Sequence, residues 1–178
     1  MAEIIKNFLN TSTNLGSFIA GLLVFIIGGL IVFFIKDILK KPTSFTGVFY
    51  LKTTTLNSSY NPYIGLSSCF MLTLLNESPT KIIGKAEKIY DIESDGYRRD
   101  YTGKHRNYGD VLITIERFYL RRNKLNIHIN LHGDHERAQR PSSLIATFNT
   151  AKIITNGSFI TTAANSSGTA HLTNKEPN

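Results

Sequence analysis

An all-β domain, a compact up-and-down barrel of about eight strands preceded by one N-terminal transmembrane α-helix, is the fold class this sequence predicts. Three observations predict it. Residues 15–35 are a run of 21 without a charged side chain. Beyond them, short segments alternate apolar and polar residues and are punctuated by turn residues at roughly 8–12-residue intervals. A single cysteine, Cys69, excludes a disulfide scaffold and multi-cysteine metal clusters, so the 178-residue chain must rest on its own hydrophobic core. With 42 % apolar and 19 % charged residues, wholesale disorder is not expected.

The membrane segment comes first. At about 1.5 Å rise per residue, 21 helical residues cover roughly 31 Å, the thickness of a bilayer's hydrocarbon core. A cleaved signal peptide would have an apolar stretch of about 7–15 residues ending in a small-residue cleavage site. Here the run meets Lys36, Lys40, Lys41 and Pro42 instead. A retained helix over about 15–35 is expected, with residues 1–42 as the membrane region and 43–178 as the soluble domain. Those three lysines outweigh Lys6 on the other side, and the positive-inside rule places the C-terminal domain in the cytoplasm. Gly16, Ser17, Ala20, Gly21 and Gly28 put small residues on one helix face, where close approach would permit self-association. Glycine is also simply common in membrane helices.

After residue 43 the period changes. Candidate strands are 47–55, 66–76, 82–93, 97–106, 110–120, 124–132, 142–148, 152–155, 157–163 and 168–173, a count of eight to ten once weak boundaries are merged. Asn156-Gly157 reads as a two-residue hairpin turn. Consecutive hairpins favour an up-and-down order. The clearest alternation sets Leu125, Ile127, Ile129 and Leu131 against Asn126, His128, Asn130 and His132. The second set is polar and uncharged, which suits either a ligand pocket or a solvated outer face.

Charge is concentrated. The net +7 rests on 20 Lys and Arg against 13 Asp and Glu, and the window 97–140 holds 10 and 5 of these, including all eight arginines. Four tyrosines and four of the five histidines share that window. Arginine forks suit phosphate and tyrosines offer stacking faces, so an anionic, aromatic-bearing ligand such as a nucleotide is indicated. A basic exterior lying near an anionic membrane is the other reading. Parity places Tyr97, Arg99 and Tyr101 on one face of 97–106, with Lys104 and Arg106 on the other. Arg117 continues the apolar face of Ile113 and Ile115, which implies an anion or, more simply, a strand ending in solvent.

Catalytic motifs are missing: there is no nucleophile elbow, phosphate-binding loop, His-Glu-x-x-His or EF-hand loop. His128, His132 and His135 lack a convincing ligand spacing, and Glu87, Asp91 and Glu93 read as surface charges. The expectation is a non-enzyme without cofactor or metal.

Five stretches carry a family resemblance: 84–90 (GKAEKIY), 101–106 (YTGKHR), 113–119 (ITIERFY), 140–143 (RPSS) and 157–168 (GSFITTAANSSG). With the N-terminal span they resemble the membrane-anchored β-barrel effectors of bacterial cyclic-oligonucleotide-based antiphage signalling (CBASS). That resemblance covers about 46–173. It implies a lipocalin-like barrel in the cytoplasm that senses a cyclic dinucleotide made by a cognate nucleotidyltransferase, with no nucleic acid polymer as partner. It further implies that binding promotes homo-oligomerisation and disruption of the inner membrane, leading to cell death. That family usually has two membrane helices; this sequence offers one. Parity and side-chain chemistry nominate Tyr101, Lys104, Arg106, Arg117, His128, Arg140, Thr161 and Thr162 as ligand contacts. Tyr101 and Lys104 cannot both face one pocket from one strand. The competing functions are a constitutive membrane-anchored scaffold that binds lipid or protein through a basic surface, and a carrier of apolar ligands.

Overall fold

A computed structural model describes residues 3–4, 12–39, 43–118, 121–133 and 140–177, leaving aside the side chains of residues 12–14, 36–39 and 104. The chain divides into two units, Met1–Lys41 and Pro42–Asn178. In the first, helix α1 (Ser12–Leu39) contains the apolar stretch Leu15–Ile35, with a mean hydropathy of 3.0. Along Leu15–Ile35 the side chains are apolar or small all round and none is buried, so this stretch has no core-facing stripe of the kind a globular helix shows. It is one helix long and apolar enough to cross a membrane. A Cβ added at Gly16, Gly21 or Gly28 would meet nothing within 4 Å, so those glycines are not required by packing inside the unit.

The second unit is built from β1 (Gly47–Asn57), β2 (Ser67–Ser78), β3 (Lys81–Ile92), β4 (Arg98–Asp100), β5 (Tyr108–Glu116), β6 (Lys124–Leu131), β7 (Ser142–Phe148), β8 (Thr155–Thr161) and β9 (Ser166–Thr173). Eight of them form a closed antiparallel ring in chain order, with β9 returning to β1. The short β4 pairs only with the end of β3 and lies outside the ring. Closure leaves the ring no free edge to aggregate through.

Alternation decides what fills the ring. Leu125, Ile127 and Ile129 are fully buried, and with Phe49, Leu51, Leu72, Ile113, Ala146, Phe148 and Leu172 they make one interior cluster. The polar partners Asn126, His128 and Asn130 face out, so this face of β6 is turned away from the barrel interior, as the outer-face alternative expects. A one-residue slip would have exchanged the two sets, and burying four aliphatic side chains decides the register. At one end the interior is plugged. Phe45 is fully buried, its N–H bonds Asn76 Oδ1 at 3.2 Å, and Thr43 Oγ1 donates to the Ala151 carbonyl at 3.1 Å.

Three local expectations fail for physical reasons. Asn156-Gly157 lies inside β8 and not in a hairpin, because the glycine answers a close approach: a Cβ there would sit 2.1 Å from the Thr147 carbonyl oxygen. Residues 152–155 mostly belong to the β7–β8 connection. Of 97–106 only Arg98–Asp100 is strand, and Gly103, at φ +53°, turns the chain into a short 3-10 helix.

A smaller apolar cluster lies on the outside of β2 and β3, where Cys69 and Tyr90 are fully buried beside Ile89. Tyr90 donates its hydroxyl hydrogen to the Pro177 carbonyl at 2.7 Å, and the Arg98 guanidinium covers its ring at 3.9 Å. Burial pushes the Cys69 thiol up to about 11 and also raises the Tyr90 hydroxyl above its usual range.

Two outcomes follow. Gly157→Ala is expected to cost about 1–3 kcal/mol by overpacking against backbone, lowering the barrel's Tm by roughly 3–10 °C in a thermal melt. Because Cys69 is harder to ionise folded than unfolded, stability is unaffected by this group below its unfolded value of 9.0 and declines as pH rises towards about 11. Urea titrations across that interval measure the decline, and a thiol reagent at neutral pH should label the native chain only as fast as it opens.

A candidate ligand cavity in the open mouth of the barrel

The end opposite Phe45 is open. Inward positions that carry phenylalanine and leucine near the plug carry Thr53, Thr55, Ser68, Ser142, Thr161 and Ser166 here, and the shorter side chains leave a cavity of about 540 Å³. That size lies within the range of about 300–1,000 Å³ usual for small-molecule sites. Among the described residues, two connections bring aromatic and charged side chains to the rim. One runs from β1 to β2 and brings Tyr60 and Tyr63, whose rings meet edge to face at 5.1 Å. The other is the 93–107 arm, which brings Arg99, Tyr101 and Asn107. The first is tied to the β8–β9 turn: the Ser59 N–H and hydroxyl both donate to the Ala164 carbonyl, at 3.0 and 2.6 Å. Ala164 and Asn165 hold left-handed backbone there, at φ 50° and 44°, which costs on the order of 1–2 kcal/mol for a side-chain-bearing residue.

Asp91 is the centre of the wall. It is 7 % exposed, and its carboxylate accepts from Ser68 Oγ at 2.6 Å and from the Tyr101 hydroxyl at 2.7 Å, and pairs with Lys88 Nζ at 2.6 Å. Burial, reinforced by the bond to Asp91, raises the Tyr101 hydroxyl above the usual phenol range and keeps it protonated as a donor. Lys88 Nζ also lies 5.5 Å from the Tyr101 ring centre. Near the opening, Arg99 pairs with Glu93 at 2.9 Å, both well exposed at 57 % and 42 %. Among the described residues the cavity therefore holds two cations and two carboxylates, each cation already paired. Asp91 is not the surface charge the sequence suggested, whereas Glu93 is exposed at the opening.

Of the sequence-nominated residues, Tyr101 and Thr161 line this cavity. Arg106 holds the arm in place, donating to the Tyr101 carbonyl at 3.1 Å and pairing with Glu87 at 2.7 Å. Thr162 is exposed and accepts the Ser143 N–H at 2.9 Å, a turn contact. Arg140 is exposed on the β6–β7 connection at the open end, while Arg117 lies at the plugged end and cannot reach the same ligand. His128 faces outward between Leu112 and Ile145. The Lys104 side chain lies outside the described residues, as do Arg137 and His135. Lys88, Asp91, Glu93 and Arg99 were not among the nominated contacts. For Lys88 and Asp91 the signal is obscured by a β-bulge: Cys69 faces Tyr90 but Phe70 faces Lys88, so Ile89 is an extra residue. That insertion lets Lys88 and Asp91, three apart, both point inward. Among the described residues no three His, Cys, Asp or Glu side chains converge as metal ligands would.

The class this defines is a closed antiparallel β-barrel with a polar, tyrosine-rimmed cavity in one mouth, in a chain that also carries an apolar helix long enough to span a membrane. No family model, curated protein or solved structure matches the chain.

Removing the central carboxylate leaves Lys88, Ser68 and Tyr101 without their acceptor. Asp91→Ala is expected to lower stability by roughly 2–4 kcal/mol in urea denaturation. Glu93→Ala, which breaks an exposed pair, should change it by less than about 1 kcal/mol.

Proposed function

We propose that this chain is a membrane-anchored signalling effector, not an enzyme, whose barrel binds a cyclic dinucleotide in its open mouth. The composition of the cavity wall carries the reading. Tyr60, Tyr63 and Tyr101 offer ring faces to bases, Asn107 and the wall hydroxyls offer groups that both donate and accept, and Lys88 and Arg99 are the cations available to phosphates. Leu66, Phe70, Leu131, Leu144 and Phe159 add apolar surface to the wall, but the Lys88–Asp91 pair set into it does not suit a carrier of wholly apolar ligands.

Two phosphodiesters bring two negative charges into a cavity whose charges cancel among the described residues. One pair must therefore give way, and magnitudes select it. The exposed Arg99–Glu93 pair is worth no more than about 1 kcal/mol, whereas breaking the more buried Lys88–Asp91 pair costs several times that. A phosphate oxygen pair taking both arms of the Arg99 fork would replace Glu93 at little cost. Occupancy then favours whichever barrel state binds the ligand better, and that state self-associates. Association gathers the membrane helices through Gly16, Ser17, Ala20, Gly21 and Gly28, and the inner membrane is breached. The barrel is cytoplasmic in this scheme, and a nucleotidyltransferase supplies the ligand.

Thermal unfolding of the full-length chain against a panel of cyclic dinucleotides tests the binding step. Ligand at about 100 times its Kd should add roughly 2.7 kcal/mol, a rise in Tm of several degrees. Arg99→Ala and Tyr101→Ala should abolish the rise and Arg117→Ala preserve it. No rise with any compound at high micromolar concentration would overturn the reading, and binding to anionic vesicles alone would favour a scaffold. Gly21→Leu is expected to keep the ligand-induced rise yet abolish dye leakage from vesicles; undiminished leakage would contradict association through that helix face.

A further inference from the structure

The excess positive charge of the barrel unit is gathered at one end. Four stretches of chain meet at the plugged end: the entry segment 43–46, the β2–β3 turn at 77–81, the β5–β6 turn at 116–124 and the β7–β8 connection at 149–154. They carry six Lys and Arg against two Asp and Glu, whereas the rest of 43–178 carries ten against nine. Lys81 pairs with Glu77 at 2.7 Å, so in charge Glu116 alone balances the other five cations. Arg117, Arg121, Arg122 and Lys152 are exposed, and so is Ile154, at 59 %. Arg121 lies over the Phe118 ring at 3.6 Å, and the Phe118 N–H bonds Asn123 Oδ1 at 3.1 Å, which shapes the turn. A ring engages a cation without consuming its N–H donors, so the guanidinium keeps them for another acceptor.

We infer that the plugged end is a docking surface for an anionic lipid bilayer, with its arginines and Lys152 on headgroup phosphates and Ile154 at the acyl boundary. The inference rests on α1 spanning the membrane. Connectivity then selects lipid over a soluble partner. Lys40, Lys41 and Pro42 are all that separate Leu39, the last residue of α1, from Thr43, whose hydroxyl is bonded at the plugged end. Four backbone steps reach at most about 14 Å. A helix that crosses a bilayer therefore delivers this end of the barrel to the lipid surface. Side-chain chemistry agrees. Arginine forks take phosphate oxygens in pairs, long basic side chains reach headgroups, and an exposed isoleucine gains by leaving water. A tether alone would hold this end near any lipid. Charge makes the contact depend on anionic lipid, by about five-fold in affinity for each basic side chain near the surface. The opposite end, with its cavity, then faces away from the bilayer, towards the water from which a soluble ligand arrives.

The chain has no tryptophan, so Ile154→Trp places a single fluorescent reporter at the plugged end. Tyr97→Trp places one beside the mouth and Phe25→Trp one in the helix. Each full-length variant is reconstituted into vesicles of phosphatidylcholine, with or without phosphatidylglycerol, that carry a nitroxide on some headgroups. Quenching of Ile154→Trp is expected to be at least about two-fold stronger with phosphatidylglycerol than without it. Adding Arg122→Glu and Lys152→Glu should return it to the lower value, and Tyr97→Trp should stay unquenched in both lipids. Both reversed side chains are exposed, so the barrel keeps its fold, as an unchanged melt would verify. High salt should weaken the quenching of Ile154→Trp in the same way with no further substitution. Equal quenching in the two lipids, quenching of Tyr97→Trp as strong as that of Ile154→Trp, or indifference to charge reversal and salt would each overturn the inference. Phe25→Trp separates that failure from failure of the span: blue-shifted emission keeps the helix in the bilayer, whereas water-like emission removes span and docking surface together. Changes at the plugged end leave the mouth intact, so the thermal response to cyclic dinucleotides reports on that site separately.

Discussion

The carboxylate of Asp91 organises the mouth of the barrel. A nearly buried carboxylate loses several kcal/mol of hydration, and that loss is tolerable only when the lone pairs are fully engaged. Ser68 engages them from β2, Tyr101 from the 93–107 arm and Lys88 from the same strand. Three separate pieces of chain are thereby fixed to one point on the inner wall. The arm has only a three-residue strand of its own, paired to one neighbour. Its position over the opening therefore depends on the Tyr101–Asp91 bond and on the Arg106 clamp behind it. Arg99 is held at the opening by β4 itself, where it pairs with Asp91 across the strands and its side chain reaches Glu93.

The second determinant is a gradient of side-chain size along the ring. Phe45, Phe49, Phe148 and Leu74 fill the plugged end, and Thr53, Thr55, Ser68 and Ser166 line the open one. An eight-stranded ring is just wide enough to be filled by side chains. Whether it holds a core or a cavity at a given height is thus a matter of which residues face in at that height. In the same chain, the large residues supply stability and the small polar ones make room for a ligand.

The fold was legible because closure into a ring needs only alternation and turns, and β6 writes the alternation without exception. The site was less legible, for specific reasons. Parity placed Arg99 and Tyr101 together on one face, and both line the cavity. It failed on β3, because one bulged residue at Ile89 shifts the phase between Lys88 and Asp91. The arginine count misled as well. Arg98 is spent on Asp100 and the Tyr90 ring, and Arg106 on Glu87, so most described members of the basic window that have assigned partners serve the exterior. Asn156-Gly157 has the composition of a turn, yet the glycine is needed because β7 passes too close for a Cβ. Bulges and close approaches depend on the neighbouring strand, which a local reading of the chain does not contain.

Binding in the mouth is the central claim, and its location is what separates a sensor from a basic scaffold. Amide chemical shifts of the full-length chain in lipid nanodiscs, recorded as a cyclic dinucleotide is titrated, report that location directly. Saturable shifts clustered at Ser68, Lys88, Arg99, Tyr101, Asn107 and Thr161 are the expected result. Shifts spread over the outer lysines with those six unmoved, or no shifts at all, would contradict binding in the cavity.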